Sequence, residues 1–315
     1  MKTLWLLATL LCLLCVDYLP SRAQVFRREV AFTIDDLPMA GDATDVKEME
    51  TVTRRLLASL VTNRVPAIGF VNEANLYVKG EESPRINILR MWLDAGMILG
   101  NHTFSHADFS KSSLPQFEDE LIHGEVVTRK LMQERGLNKL YFRYPFNHTG
   151  STKEAKQSFQ GFLQSRGYEI APFTIENEDY IFADVYVKAK QKKDETLAQR
   201  IRAAYLNHLD TKFEYYEQRS RMLLGREPKQ ILLIHVNELN ADSLDGMVQR
   251  LKQRGYAFIT LDQALQDEAY KLKDEYVGNA GISWLHRWSL TLGKELDYRD
   301  DPDPPKFIMD LWRAK

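Results

Sequence analysis

The stretch Leu99–His106 reads Leu-Gly-Asn-His-Thr-Phe-Ser-His, and the chemistry of the whole chain is organised around it. Its two histidines, His102 and His106, are four residues apart. Residues with this spacing are neighbours on a helical turn, so both imidazoles can face the same side. The spacing suits one metal ion, although two polar residues in an ordinary loop would explain it as well. A third ligand and further catalytic residues elsewhere in the chain must decide.

Short apolar runs alternate with segments of helical periodicity on both sides of this stretch. Alternating β and α units predict an α/β fold, with a parallel sheet covered by helices. Seven such runs favour an incomplete or distorted (β/α) barrel over an open sheet. The predicted strands are Val30–Thr33, Ala67–Val71, Met97–Leu99, Tyr141–Arg143, Glu169–Phe173, Ile231–His235 and Phe258–Leu261.

Polar residues with catalytic potential lie at the carboxyl ends of these predicted strands. In a β/α barrel the loops at that end share one face, where active sites are found. Residues that are remote in sequence would therefore converge on one pocket. The candidates are Asp35, Asp36, His102, His106, Arg143, Asp179 and His235.

The pair Asp35 and Asp36 supplies the carboxylate that a metal site needs. One carboxylate and two imidazoles make a three-ligand site with a vacant position, the pattern of catalytic zinc and of some iron centres. The other carboxylate would then be free to take a proton. The structural alternative is a turn or a helix N-terminus, where Asp is common.

Five motifs, in this order along the chain, resemble those of the polysaccharide deacetylase family, the NodB-homology domain of carbohydrate esterase family 4. Thr33–Pro38 looks like its T-F-D-D-G-P motif, and His102–His106 matches H-[ST]-x-x-H. Arg143–Phe146 is similar to R-x-P-[YF]. Glu176–Tyr180 stands where the family has D-x-x-D-W, and Leu233–His235 resembles L-x-H.

This resemblance covers residues 30–264 and implies a NodB-like distorted barrel that hydrolyses an N- or O-acetyl group on a glycan. It also implies a divalent ion, zinc first and cobalt or another divalent ion as alternatives, held by Asp36, His102 and His106. The chemistry agrees, because an amide is a poor electrophile. Its hydrolysis needs an activated water and a stabilised carbonyl oxygen, and a metal ion can supply both.

The resemblance assigns the remaining roles by position. Asp35 would be the general base and would pair with Arg143. The backbone N–H of Tyr144 would help to hold the oxyanion. His235, oriented by Asp179, would be the general acid, a task that suits a side chain titrating near neutrality.

Three positions depart from the family pattern. Leu37 replaces a glycine, so the loop after the acidic pair is expected to differ in shape. Glu176 and Tyr180 replace Asp and Trp in the fourth motif, a change that bears on substrate contacts more than on catalysis.

The first 23 residues predict an export signal. Lys2 precedes the apolar run Leu4–Val16, which is short for a membrane span, and Ser21–Ala23 offers a small-residue cleavage site. An uncleaved anchor is the alternative. Cys12 and Cys15, the chain's two cysteines, fall inside this segment, so the mature chain would have neither a disulfide nor a thiol nucleophile.

Composition excludes some partners. Lys plus Arg total 42 and Asp plus Glu total 44, so there is no basic field of the kind that nucleic-acid binding requires. We expect an acetylated glycan substrate, no nucleic acid and no membrane span after signal removal, with export to a bacterial periplasm or medium. The sequons at Asn101 and Asn147 are interpreted as chance matches, because a glycan on Asn101 would block the pocket. The sequence leaves the oligomeric state open.

The predicted organisation is a barrel domain over residues 24–273, with a charged helical insertion at 184–229 over one end of the barrel. A C-terminal helix and an extended tail follow at 274–315. Three other functions remain open: hydrolysis of a non-carbohydrate amide or imide, glycan binding without catalysis, and a two-histidine, one-carboxylate iron oxygenase. The oxygenase would leave Arg143 and the second carboxylate without a task.

Overall fold

The computed structural model describes residues 28–41, 45–294 and 296–314. The predicted signal segment, residues 1–23, lies outside the described residues. All seven predicted strands form, and they belong to one parallel sheet. They are β1 (Arg28–Leu37), β2 (Ala67–Val71), β3 (Ile98–Asn101), β4 (Leu140–Phe142), β5 (Tyr168–Ile170), β6 (Gln230–His235) and β7 (Tyr256–Ile259).

The sheet curves into the expected incomplete barrel. β1 pairs with β6 along one edge, while β7 and then β2 pair along the other. The order continues from β2 through β3 and β4 to β5. No named strand of the described chain lies between β5 and β6 in the sheet. The chain that follows β5 fills this gap, and its Ile175 forms an isolated parallel bridge with Leu232 of β6.

The central strands are buried on both faces, which explains their unbroken apolar runs. Every residue is buried in Val30–Ile34 of β1 and in Ile231–Ile234 of β6. The hydroxyl of Thr33, the polar residue in the first range, donates a hydrogen bond to the carbonyl of Leu232. In the β1–β6 register Asp35 lies opposite His235. The core pairing therefore brings two predicted catalytic residues side by side at the carboxyl end of the barrel.

Helices cover the sheet and connect its strands. They are α1 (Val46–Asn63), α2 (Glu82–Asp94), α3 (Leu114–His123), α4 (Val126–Glu134), α5 (Lys153–Ser165), α6 (Asp179–Gln191), α7 (Glu195–Leu224), α8 (Glu238–Gln253), α9 (Leu261–Leu265), α10 (Trp284–Thr291) and α11 (Lys306–Arg313). Short 3₁₀ turns lie at Glu73–Leu76, Pro145–Asn147, Glu268–Lys271 and Tyr298–Asp300. Among the described residues, no helix combines the length and the apolar character needed to cross a bilayer.

The segment 184–229, predicted as a helical insertion, contains the larger part of α6 and the whole of α7. α7 runs along the flank of the barrel. The hydroxyl of Tyr205 donates to Asn240 just past the carboxyl end of β6, whereas Glu217 pairs with Arg28 at the start of β1. The segment therefore covers a side of the barrel from end to end.

The prediction of an extended tail after the C-terminal helix is wrong beyond residue 305. α11 follows the prolines at 304 and 305 and packs against α6, with Ile308 fully buried. The apolar residues of Phe307–Trp312 recur at helical spacing and form one face. Trp284 and Trp288 of α10 are buried and pack in the core.

Candidate metal centre and active site

The two acidic residues lie at the end of β1, where the strand is irregular. The register between β1 and β2 shifts between Ile34 and Leu37, and Asp36 has a positive φ of 68°. Successive side chains of a regular strand point to opposite faces, and a bulge re-aims them. The carboxylates of Asp35 and Asp36 consequently both approach the Nε2 of His102, at 3.8 Å and 3.5 Å.

The two histidines lie on the loop that follows β3, and not on a helical turn. Thr103 and His106 have φ values of 65° and 58°, in the left-handed region, so the backbone does not continue as a right-handed helix. The rings still meet, with centroids 4.9 Å apart. The i,i+4 spacing therefore predicted the proximity of His102 and His106 but not the backbone that creates it.

Asp36, His102 and His106 offer three ligand atoms that all lie within 4.8 Å of one another. The Nε2 of His106 is 3.4 Å from the Oδ1 of Asp36, a buried oxygen that has no hydrogen-bond partner among the described residues. The Nδ1 of His102 bonds to the carbonyl of Arg143 at 2.8 Å, which leaves its Nε2 for the site.

The protonation of these histidines also suits a metal ion. Burial lowers the pKa of His106 and lowers the pKa of His102 still further, so both rings are neutral near pH 7. Neutral imidazoles and an ionised carboxylate are the forms that bind a metal. Two nitrogens, one oxygen and an open side fit catalytic zinc.

Asp35 is isolated from water and held beside an arginine. Its side chain is 3% exposed, and its Oδ2 lies 3.6 Å from the Nη1 of Arg143. Burial raises the pKa of Asp35 to about 6, although Arg143 and His235 act in the opposite direction. At neutral pH this carboxylate is mostly ionised and can still accept a proton.

Arg143 is fully buried under the site. It donates to the hydroxyl of Thr33 at 2.9 Å and to the carbonyl of Pro172 at 3.3 Å. The following side chain, Tyr144, turns away from the site into an aromatic cluster. Only the backbone of Tyr144 remains available for the oxyanion role that the resemblance implies.

His235 and Asp179 form a hydrogen-bonded pair at the end of β6. The Nδ1 of His235 lies 2.7 Å from the Oδ1 of Asp179, and its backbone N–H donates to the other carboxylate oxygen at 2.8 Å. Burial alone would lower the pKa of His235, but the carboxylates of Asp179, Asp36 and Asp35 outweigh it and raise the pKa to about 10. Burial opposes ionisation of Asp179 as well, yet the positive charge of His235 and its hydrogen bonds with Asp179 leave the pKa of Asp179 below its usual value.

Several asparagines that fix the site were not predicted as site residues. Asn237 and Asn240 both donate to Asp179, and the amide of Asn72 donates to the carbonyl of His102. The amide of Asn101 donates to Leu121 and accepts from the N–H of Thr103. Asn101 is 1% exposed, so its sequon cannot accept a glycan in the folded chain, as expected.

A second acidic cluster lies next to Asp179 and contains its own cation. The carboxylates of Glu176, Glu178 and Asp301 come within metal-ligand distance of one another. The fully buried ammonium of Lys212 lies among them, 2.6 Å from Glu178. Burial raises the pKa of Glu176 and of Glu178 to about 7. The ammonium of Lys212 pairs with all three carboxylates and so supplies the positive charge that a bound cation would otherwise supply there.

Two exposed aromatic rings flank the candidate site. Phe146, in the turn Pro145–Asn147, is 52% exposed and its ring lies 4.5 Å from that of His106. Tyr180, in the first turn of α6, is 53% exposed, and the centroid of its ring lies 6.4 Å from that of the His235 ring. The candidate ligand His106 and the predicted acid His235 therefore each have an exposed aromatic neighbour.

Residues 23–164 match the family model described as polysaccharide deacetylase. The chain is 26% identical over 239 residues to a chitin deacetylase of Colletotrichum lindemuthianum, an alignment that covers 76% of this chain and 79% of the relative. It is 24% identical over 223 residues to the peptidoglycan-N-acetylmuramic acid deacetylase PdaA of Bacillus subtilis, covering 70% and 68%. These matches confirm the predicted resemblance.

Solved structures of carbohydrate esterase family 4 proteins share the fold of this chain. The structure of a carbohydrate esterase family 4 pseudoenzyme from Bacillus anthracis is 17% identical with a TM-score of 0.51, covering 76% of this chain and 66% of that one. A mutant described as the same kind of pseudoenzyme gives a TM-score of 0.52 at 18% identity, covering 76% and 68%. Because proteins described as pseudoenzymes carry this fold, the fold alone does not decide activity.

Proposed function

Because residues 23–164 match the polysaccharide deacetylase family model, we propose that the chain belongs to that family and is a metal-dependent hydrolase that removes acetyl groups from an N-acetylated glycan. The observation that carries this proposal is the meeting of Asp36, His102 and His106 beside a second carboxylate, Asp35, and a histidine that is oriented by its own carboxylate. An inactive binding protein would have no need of this arrangement.

Asp36, His102 and His106 would hold one divalent ion, with zinc the first expectation. When bound, such an ion polarises the acetyl carbonyl and makes a nearby water more acidic. The three side chains need little rearrangement to receive it, because their ligand atoms are already within 4.8 Å of one another. The buried Oδ1 of Asp36 has no hydrogen-bond partner among the described residues and would be free to coordinate the ion.

Asp35 would take the proton from the attacking water. Its Oδ1 is buried without a hydrogen-bond partner among the described residues, so a water at that oxygen would meet a free acceptor. A pKa of about 6 matches the task of a base near neutral pH. Arg143 would keep the carboxylate in place and favour its ionised form.

His235 would give a proton to the departing amine. Its raised pKa keeps the imidazolium present at neutral pH, and Asp179 occupies its Nδ1, which leaves the Nε2–H for the leaving group. The backbone N–H of Tyr144 would donate to the oxygen that becomes negative in the tetrahedral intermediate. A donor placed for developing charge is commonly worth about 3 to 4 kcal/mol.

The substrate class is an N-acetylated polymer or oligomer such as chitin or peptidoglycan. The relatives named for chitin and peptidoglycan support this choice. The exposed rings of Phe146 and Tyr180 support it too, because an aromatic face packs well against the apolar face of a sugar ring. The predicted signal at residues 1–23 supports an exported protein, since such polymers lie outside the cell membrane.

Acetate release tests this proposal. Purified mature protein, loaded with Zn²⁺ or Co²⁺, is incubated with chitin oligomers, peptidoglycan, an O-acetylated glycan and a cyclic imide. We expect acetate from at least one N-acetylated glycan. A matched Asp36→Asn protein should release almost none.

The other outcomes overturn the proposal in favour of a named alternative. Turnover of the imide without acetate release from any glycan would indicate a non-carbohydrate amidohydrolase. Glycan binding by a metal-loaded protein that releases no acetate would indicate a catalytically inactive binding protein.

A further inference from the structure

The C-terminal segment Asp274–Arg287 lies outside the family-model match and outside the motif-bearing region, yet it contacts the active-site turn directly. Arg287, in α10, is fully buried. Its Nη2 donates to the carbonyl oxygen of Asn147 at 2.6 Å, and its Nη1 donates to the hydroxyl of Thr149 at 3.2 Å. One guanidinium thus ties the segment to the chain just after Phe146.

The charge of Arg287 is balanced within the segment. Asp274 accepts from the Nη1 of Arg287 at 3.0 Å and pairs with Lys156 of α5 at 2.8 Å. Lys156 also donates to the backbone carbonyls of Asp274 and Tyr276, at 2.7 Å and 2.8 Å. Buried ion pairs with satisfied hydrogen bonds hold one geometry, since any displacement leaves a charge unpaired. The segment is therefore a fixed support.

The turn that this segment supports has an unfavourable backbone. Phe146 and Asn147 have φ values of 54° and 55°, a region that side-chain-bearing residues rarely occupy. Such a conformation persists only where the surroundings impose it. Here it presents Phe146 to solvent with its ring against His106, one of the proposed metal ligands.

The segment also touches the turn through its backbone. Gly281 has a φ of +62°, and a Cβ built on it would lie 2.6 Å from the carbonyl oxygen of Phe146. No side chain fits between the two backbones. Gly281 and Arg287 therefore contact two successive residues of the same turn.

From these contacts we propose that Asp274–Arg287 positions the turn Pro145–Asn147 for the reaction, with Arg287 as a positioning residue that itself contacts no reacting atom. The proposal rests on the proposed deacetylase function. Without the segment, Phe146 and the backbone of Tyr144 would lose their fixed placement relative to the three metal ligands.

Two pairs of full-length variants test this role. Gly281→Ala pushes against Phe146, and its control is Gly293→Ala, which has a φ of +61° and no atom within 4 Å of the added Cβ. The members of this pair share the backbone cost of losing glycine. Arg287→Met removes the guanidinium, and its control is Arg254→Met, which breaks a partly buried ion pair with Glu217 at the opposite end of the barrel.

Three readouts are compared: amide hydrogen exchange of residues 143–150, the absorption spectrum and affinity of bound Co²⁺, and steady-state kinetics of acetate release. We expect Gly281→Ala and Arg287→Met to accelerate exchange of these amides by about tenfold or more. In the same two variants we expect kcat to fall by about 10- to 100-fold, a larger factor than any rise in KM. Both control variants should keep kcat and KM near the wild-type values. Cobalt affinity should stay within about threefold of wild type, because the ligands themselves are untouched.

The proposal is overturned if exchange and kcat in Gly281→Ala and Arg287→Met match those of their controls. It is also overturned if kcat falls equally in all four variants, since that would indicate general destabilisation. Should wild type release no acetate, the proposed function fails, while hydrogen exchange of residues 143–150 still decides whether the segment holds the turn.

Discussion

Asp35 and Asp36 are adjacent in the chain, yet their surroundings give the two carboxylates different chemistry. Asp36 is partly exposed and lies nearest to the two imidazoles of the metal centre. Asp35 is buried beside Arg143, and burial raises its pKa to about 6. One carboxylate is placed to bind an ion and the other to exchange a proton, and this division is testable by single substitutions.

Asp35→Asn should abolish catalysis while leaving the metal site in place. Loss of a general base typically costs about 10²- to 10⁴-fold in rate, and the amide retains the size of the carboxyl group. Metal content by mass spectrometry and kcat for acetate release are measured on the same preparation. Asp36→Asn is the matched control and should lose the ion as well. Near-wild-type kcat in Asp35→Asn would rule out its assigned role.

The pairing of His235 with Asp179 predicts a shift in the pH profile. Activity needs protonated His235, whose pKa is about 10, so the rate should decline only at high pH. In Asp179→Asn the imidazolium loses the principal carboxylate that raises its pKa, so the descending limb should move to lower pH. The measurement is kcat against pH for both proteins, with thermal unfolding as a check on folding. An unmoved limb would argue against His235 as the acid.

The sequence identified the candidate catalytic and metal-binding residues better than the residues that hold them in place. The spacing of His102 and His106 indicates a shared site, the family resemblance adds Asp36, and the structure brings the three together. Lys212 and Arg287 are not identifiable in this way. Their importance comes from full burial among partners that only the tertiary fold assembles.

At the scale of elements, the loops at the carboxyl ends of the strands combine unusual backbone with functional side chains. Asp36, His106, Phe146 and Glu178 all have positive φ values. Such conformations are costly for residues other than glycine, and they cluster at functional sites. Strand patterns do not reveal them, which is why the helical turn expected for His102 and His106 was wrong.

The loop between β5 and α6 should leave a signature in the pH dependence of stability. The pKa of Glu176 in the fold is about 7, raised from 4.5 by burial, so folding favours its protonated form. Its stabilising contribution is present below about pH 4.5 and is lost as the pH rises to about 7. Glu176→Gln lacks this loss. As the pH rises from 4.5 to about 7, the free energy of unfolding of Glu176→Gln should therefore increase relative to that of wild type, by at most about 3 kcal/mol.

Urea unfolding of both proteins at several pH values between 4.5 and 8 measures this difference. Glu134→Gln, at the exposed end of α4, provides a control at a surface carboxylate. A difference between wild type and Glu176→Gln that does not change with pH would contradict the assigned burial of the carboxyl group.

Elements with a strong apolar period were predictable, and elements defined by their partners were not. β1 and β6 are continuous apolar runs because a parallel sheet buries both faces. α11 was missed because its apolar face follows two prolines in a polar tail, and only its contact with α6 makes it a packed helix.

Across the barrel as a whole, the pairing of β1 with β6 brings the predicted base, Asp35, next to the predicted acid, His235. Asp35 and His235 share one register position, and the two histidines proposed as metal ligands lie on the loop after β3. A bound ion would connect that loop to β1, because His102 and His106 belong to one and Asp36 to the other. The ion would therefore stabilise the fold as well as support catalysis.

Removing the metal should lower the melting temperature reversibly. An ion that binds only the native state adds about 2.7 kcal/mol of stability at a free concentration of 100 times its Kd. Thermal unfolding is followed in chelator and after Zn²⁺ is restored. His102→Gln, which loses one ligand, should not respond to the ion. Equal melting temperatures for wild type with and without Zn²⁺ would mean that the three residues do not form a metal site.

The central claim, that one ion at Asp36, His102 and His106 supports deacetylation, is tested most directly by titration of metal-free protein with Zn²⁺ while acetate release from an N-acetylated glycan is recorded. We expect the rate to rise in proportion to added ion and to level off at one equivalent. Protein that binds one equivalent of Zn²⁺ at these residues and still releases no acetate would contradict the claim.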